Sequence, residues 1–207
     1  FTSEVYGTAQ YVPIDEKHPK VGQSPYAATK ISADELSLSY YRSFDLDIRV
    51  LRPFNTYGPR QSQRAVIPTI IRQVLNPTLS EIKLGNTSST RDFNFVTDTC
   101  EAFIEIYKSK DTKGLALNAA SNFEISIEEL TTFILEYTGI SKPIKQEKNR
   151  LRPTNSEVER LYGCNKLIKS MTKWNPKYSG KDGFKKGLGI TIDWFKNNQD
   201  KFHGYSI

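Results

Sequence analysis

Tyr26 and Lys30 stand one helical turn apart in the run Tyr26-Ala27-Ala28-Thr29-Lys30. If that run is helical, both side chains share a face. A tyrosine hydroxyl titrates near ~10 and is a poor base at neutral pH. An ammonium one turn away favours the phenolate. Such a pair can take a hydroxyl proton while hydride leaves the same carbon. Taken alone the spacing is weak, because it arises by chance in many helices and then means only an exposed Tyr and Lys.

The surrounding sequence says what must hold that pair. Phe1 to Tyr6 reads as the exit of a strand, and Gly7 to Gln23 as a loop with Pro13, Pro19 and Gly22. Ser24-Pro25 starts a helix that should run to about Ser43. Ile48 to Leu51 is a short strand closed by Pro53, and Asn55 to Arg60 a loop. Pro68 to Leu75 reads as helix, Ile82 to Leu84 and Phe93 to Val96 as strands. Asp98 with Glu101 forms a capping-box pattern, and Cys100, Phe103, Ile104 and Tyr107 follow at core-face spacing. Cys100 is therefore expected in the core. Leu115 to Asn118 is a strand. Ser126 with Glu129 is a second capping box, followed by the stripe Ile127, Leu130, Ile134 and Tyr137. Phe184, Leu188, Ile192, Phe195 and Phe202 mark a last helix. Helices alternate with short strands, which predicts the α/β class.

Composition narrows the field. The 207 residues are 37% hydrophobic and 25% charged, a globular balance that excludes disorder. No apolar run approaches the ~20 residues of a membrane span, and no signal peptide opens the sequence. Two cysteines, Cys100 and Cys164, are too few for a disulfide framework or a four-ligand zinc site. No metal is expected, and a reducing, cytoplasmic setting is. The net charge of +6 comes from scattered Lys and Arg without a nucleic-acid motif, so no nucleic-acid partner is expected. His18 and His203 lie in polar, loop-like sequence and carry no assigned role. No G-x-G-x-x-G is present, and the dense glycines Gly180, Gly183, Gly187 and Gly189 neither follow a strand nor open a βαβ unit.

The motifs gain weight when read in order. Thr2-Ser3-Glu4-Val5-Tyr6-Gly7 precedes Ser24-Pro25-Tyr26-Ala27-Ala28-Thr29-Lys30. Leu51-Arg52-Pro53-Phe54-Asn55-Thr56-Tyr57-Gly58-Pro59-Arg60, Arg91-Asp92-Phe93-Asn94-Phe95-Val96-Thr97-Asp98 and Arg152-Pro153 follow. This ordered set resembles the extended short-chain dehydrogenases/reductases that act on nucleotide sugars with bound NAD. The likeness runs from Phe1 to about Lys196. The runs 85–93 and 151–161 look most like the 4,6-dehydratases of the legionaminic-acid pathway, which act on a nucleotide-linked N-acetylglucosamine.

The resemblance implies roles residue by residue. Tyr26 becomes the base at the sugar O4, Lys30 favours its phenolate and holds the nicotinamide ribose, and Thr2 hydrogen-bonds the O4 region. Pro53 lies at the cofactor. Glu4 discriminates, because family epimerases carry a small residue there whereas dehydratases carry a Glu that takes the C5 proton. Ser3 stands where many dTDP-glucose dehydratases have Asp, which leaves open the group that protonates the departing hydroxyl. Asn55, Arg91 and Arg152 are expected on the substrate diphosphate, where guanidinium geometry suits phosphate, and Asn122 near the nucleotide. The helix bearing Tyr26, with Tyr40 and Tyr41, is expected to help build a homodimer through a four-helix bundle.

The expected architecture is the C-terminal part of a Rossmann-like doubly wound sheet plus a smaller α/β substrate-binding domain. Residues 1–60 would supply late Rossmann strands and the motif helix. Residues 61–207 would mainly build the nucleotide-sugar site, with 93–118 returning to the Rossmann sheet. Two rivals within the family are UDP-glucuronate decarboxylase, whose Tyr region usually reads Y-D-E-G-K, and a 4-epimerase, disfavoured by Glu4. A reading of another class is an inactive fragment or binding module without an NAD site, since the family's glycine fingerprint lies upstream of Phe1. On that reading the 207 residues alone bind NAD weakly and dissolve poorly.

Overall fold

The computed structural model describes residues 2–150 and 157–199. Two strands, β1 (Val50–Pro53) and β5 (Ala116–Ala119), pair in parallel with Val50 opposite Ala116. Helices α1 (Pro25–Phe44) and α3 (Val96–Lys108) both contact β1. A second sheet joins β2 (Asn55–Tyr57), β4 (Thr90–Phe95), β6 (Glu124–Ser126) and β8 (Arg160–Leu161), with β4 pairing all three others. A third pairs β3 (Ile82–Leu84) with β7 (Ile144–Gln146) in parallel. Helices α2 (Val66–Leu75), α4 (Ile127–Thr138), α5 (Lys166–Met171) and α6 (Gly180–Asn197) complete the chain.

Local chemistry explains where the long helices begin. The Ser24 hydroxyl accepts the Ala27 N–H at 3.1 Å, and Pro25 fits the first turn, where no amide partner is needed. Asp45 ends α1 in the left-handed region at φ 52°. The capping box of α4 forms as expected, Ser126 and Glu129 each bonding the other's backbone amide. Gly139 closes that helix at φ 68°.

The main core gathers Ile67, Ile70 and Ile71 of α2, Phe93 and Phe95 of β4, Leu130 and Ile134 of α4, and Phe184, Leu188 and Ile192 of α6. Tyr57 sits in its middle and donates to the Phe184 carbonyl at 3.1 Å. The α6 glycines belong to this packing. A Cβ at Gly187 would run into Tyr57 and Phe95, so glycine sets how closely α6 approaches the sheet. A smaller core joins Leu51, Leu117 and Ala119 of the β1–β5 sheet to Ala102, Ile106, Ile168 and Trp174.

Several expectations need correction. Residues 3–6 form a 3-10 turn, Ser3–Tyr6, rather than a strand exit. The segment 55–60 is not all loop, because Asn55 to Tyr57 finds β4 as a parallel partner. Asp98 is not an N-cap. The helix starts at Val96, and the buried Asp98 carboxylate instead accepts the Lys177 and Tyr178 N–H groups at 3.0 and 2.8 Å. The presumed core stripe of α3 is its outer face. Cys100, Phe103, Ile104 and Tyr107 are exposed, Tyr107 by 74%, while Asp98, Thr99, Ala102 and Ile106 face inward. The inward side meets a sheet and Trp174 at close range, so small residues fit there. Tyr137 also lies outside, its hydroxyl donating to Asp193. Phe202 and His203 lie outside the described residues.

Among the described residues no helix is long and apolar enough to cross a membrane. Among them, too, no group of three or more His, Cys, Asp or Glu side chains could hold a metal.

Candidate active site

The 3-10 turn carries Thr2 at its cap and Glu4 within it, the Thr2 hydroxyl accepting the Glu4 N–H at 3.3 Å. The segment that enters α1 is stitched to this turn. The Val21 N–H donates to the Val5 carbonyl at 2.9 Å. Gln23 exchanges two hydrogen bonds with Thr8 and donates to the Glu157 carbonyl at 2.8 Å. Gly7, at φ 63° and packed against Val21 and Gln23, allows this reversal. The stitching ties the turn that bears Glu4 to the segment entering α1, and turn and helix are in contact. Tyr26 is 54% exposed, and the Lys30 Nζ lies 5.5 Å from its ring centre. Among the described residues neither polar tip has a hydrogen-bond partner, which leaves both available to a bound molecule.

A buried polar network underlies these elements. Arg52 of β1 donates from Nε to Asp34 of α1 at 2.7 Å and from Nη1 to the Tyr6 hydroxyl at 2.9 Å. Tyr6 in turn donates to Asn118 at 2.7 Å. Burial pushes the Tyr6 hydroxyl up to about 12, so it stays protonated and keeps that donation.

The remaining candidates cluster at β2 and β4. Asn55 begins β2 opposite Phe93, and its Oδ1 is buried without a partner among the described residues. Arg91 is nearly buried. Its Nη1 donates to the Thr90 carbonyl at 2.8 Å, and its Nη2 lies 3.6 Å from the Glu157 carboxylate. Asn122 sits in the turn after β5 at φ 56°, a left-handed conformation that Asn tolerates better than most residues. Pro53, partly buried, ends β1 two residues before Asn55. Arg152 lies outside the described residues.

Two organising residues escaped the sequence reading. Asp92 is fully buried and accepts four hydrogen bonds: from the Ser121 N–H and hydroxyl at 2.7 Å each, the Asn122 N–H at 3.2 Å and the Gly163 N–H at 3.3 Å. It fixes the Asn122 turn to the strand that carries Arg91. Burial pushes its carboxyl up to about 7 despite those donors. The only hint was its place beside Arg91. His18 is buried rather than loose. Its Nε2 accepts the Gln10 N–H at 2.9 Å and its Nδ1 meets the Pro19 carbonyl at 2.8 Å, so a proton on Nδ1 satisfies both contacts. A cavity of about 490 Å³ between α2, β3 and α6, lined in part by Arg72, Lys83 and Phe195, includes none of the candidate residues.

Residues 1–187 match the family GDP-mannose 4,6 dehydratase. The human dTDP-D-glucose 4,6-dehydratase is 30% identical over 99% of this chain and 56% of its own length. A putative UDP-glucose 4-epimerase of Methanocaldococcus jannaschii is 32% identical over 94% of this chain and 60% of its own. The dTDP-glucose 4,6-dehydratase of Bacillus anthracis, solved in complex with NAD, superposes with a TM-score of 0.85 at 29% identity. That match covers 96% of this chain and 61% of the other. The chain thus spans a little over half the length of the relatives it matches. A shared α/β fold of the Rossmann-like kind, a family match over most of the chain and the ordered motifs agree: the chain belongs to the GDP-mannose 4,6 dehydratase family, within the NAD-dependent epimerases/dehydratases of the short-chain dehydrogenase/reductase class.

Proposed function

We propose that this chain carries the acid–base and substrate-binding residues of an NAD-dependent nucleotide-sugar 4,6-dehydratase. The observation that carries the reading is Glu4, held on the turn stitched to the Tyr26 end of α1. A carboxylate together with an exposed Tyr–Lys pair fits removal of two protons, from O4 and from C5, better than 4-epimerisation, which needs only the O4 proton removed. NAD, when bound, would supply the hydride acceptor for C4 and the hydride donor for C6. Its fit here rests on the Tyr26 hydroxyl and Lys30 ammonium, both open and unpartnered on one helical turn. Lys30 and Tyr26 would hold the nicotinamide ribose, with Pro53 beside it. The 207 residues contain no glycine-rich phosphate turn.

The residue roles then follow. Tyr26 takes the O4 proton as the C4–H bond gives up hydride. The resulting 4-ketone acidifies C5–H, and Glu4 takes that proton, which ends on the C6 hydroxyl as it leaves as water. Hydride gained at C6 is then matched by a proton at C5, the equivalent of the one Tyr26 took from O4. Thr2 donates toward O4. Asn55, through its side-chain N–H groups, and Arg91 bind the nucleotide diphosphate, with Arg152 contributing from outside the described residues. Asn122 contacts the nucleotide. The substrate we favour is UDP- or GDP-N-acetylglucosamine, as in legionaminic-acid synthesis, in the cytoplasm. Exposed Leu36, Tyr40 and Phe44 on α1 support a homodimer through that helix.

The test is incubation of the full-length protein and NAD with UDP- and GDP-N-acetylglucosamine. A product absorbing as a 4-keto sugar in alkali is expected. Carbon dioxide released from UDP-glucuronate would overturn the reading in favour of a decarboxylase. A 4-epimer without water loss would favour the epimerase, a reading that the 32% identity to a putative UDP-glucose 4-epimerase also supports.

A further inference from the structure

We infer that Arg52 is the positioning residue that aligns Glu4 with Tyr26 and Lys30. This rests on the dehydratase reading above. The four catalytic candidates sit on two separate elements, Thr2 and Glu4 on the 3-10 turn, Tyr26 and Lys30 on α1. Arg52 touches both from below. Its Nε holds Asp34, one turn beyond Lys30 on α1, and its Nη1 holds Tyr6, at the end of the turn that bears Glu4. Its guanidinium also lies 5.3 Å from the Tyr6 ring centre. Two fork nitrogens in fixed planar geometry thus set the distance between the elements, which a flexible ammonium could not do.

Stability alone does not explain this arrangement. Arg52 is 3% exposed and Asp34 fully buried, and the second Asp34 oxygen, Oδ1, has no hydrogen-bond partner among the described residues. Desolvation of such a pair offsets much of its attraction, and apolar side chains of the same volume often serve as well. What apolar replacements cannot supply is direction. Asn118 extends the same control to β5, since it accepts from Tyr6 through its side chain while its N–H donates to Glu16 at 2.8 Å. A shift of about 1 Å between reacting groups can lower turnover ~100-fold.

The experiment uses the full-length enzyme with NAD and the substrate found by the assay above. Arg52→Lys keeps the charge and removes the fork. Tyr6→Phe keeps the Arg52–Asp34 pair and removes one link, and serves as the second variant should Arg52→Lys fold poorly. Expected for Arg52→Lys is a ~100-fold loss of kcat with KM changed less than about 2-fold. For Tyr6→Phe a ~10-fold loss is expected, since one of two links remains. In single turnover, absorbance of reduced nicotinamide should still rise and then decay slowly, because the base for C4 oxidation stands on α1, with Thr2 only donating toward O4, whereas elimination needs Glu4 in register. Hydrogen exchange should quicken in residues 3–6 more than in 25–30. Wild-type kcat in both folded variants, or a rise in KM equal to the fall in kcat, overturns the inference while leaving the dehydratase reading intact. A wild-type enzyme that makes no 4-keto product overturns both.

Discussion

The two halves of the molecule solve the burial problem differently. Around β2, β4 and β6, helices α2, α4 and α6 close over one large apolar cluster, and five aromatic rings meet within it. Around β1 and β5, two strands pair among the described residues, with α1 and α3 beside them. Parallel sheets are normally covered on both faces and wider than two strands. Here Leu36 and Phe44 of α1 and Phe103, Ile104 and Tyr107 of α3 face solvent. The candidate base Tyr26 belongs to this open half, whereas Arg91, Asp92 and Asn122 belong to the closed one. Reactivity and stability are therefore expected to separate along this line.

The sharpest way to break that separation is Tyr26→Phe. Loss of the proposed general base should lower kcat ~10³-fold in the full-length enzyme while leaving the melting temperature unchanged, since the hydroxyl has no partner among the described residues. A drop in melting temperature would show that the open half carries stability after all. Phe184→Ala makes the opposite test. Its ring stacks on Phe93 and packs against Tyr57 and Phe123, so truncation should cost about 3–5 kcal/mol in urea unfolding.

Asp92 sharpens the picture through pH. Its folded-state value of about 7 exceeds its ordinary 3.8, so between those values the folded chain holds a proton that the unfolded chain has released. This group's contribution to stability is present below the lower value and falls as pH rises toward the upper. Asp92→Asn should remove that fall, read from urea midpoints across the window, at an overall cost of about 1–3 kcal/mol for unsatisfied amides. An unchanged slope would place the titration elsewhere. The smallest effect is expected for Phe103→Ser on the outer face of α3, within about 0.5 kcal/mol of wild type by the same unfolding assay. A larger loss would mean that this face is covered in the protein as it folds.

Features written in neighbouring residues were legible in advance. The α1 start at Ser24-Pro25, the Ser126–Glu129 box and the α6 stripe from Phe184 to Phe195 all depend on contacts within a few positions or on helical period. The failures share a different cause. Asp98 followed by Glu101 satisfies a local capping pattern, but its partners are amides of residues 177 and 178. The α3 stripe has the right period and the wrong face, because periodicity marks where apolar residues gather without saying which side the sheet occupies. Asp92 bonds to residues 121, 122 and 163, and His18 owes its burial to loop packing, so neither leaves a short-range trace. The chemical motifs were clearer than the folds that hold them. Tyr26 and Lys30 share a helical turn as their spacing requires, whereas the Arg52 link between α1 and the 3-10 turn joins residues far apart in sequence.

The pairing of Arg91 with Glu157 has a thermodynamic corollary. A guanidinium that already faces a carboxylate does not greet an incoming anion as an empty site. On the role proposed for Arg91, binding there would be a metathesis, one negative partner exchanged for another, and the free energy gained would be the difference between two ion pairs. Such an exchange rewards ligands of higher charge density over those of equal shape. On that proposal Glu157 would be a counterweight, and its neutralisation in Glu157→Gln would tighten the grip on every anion and blunt the choice among them.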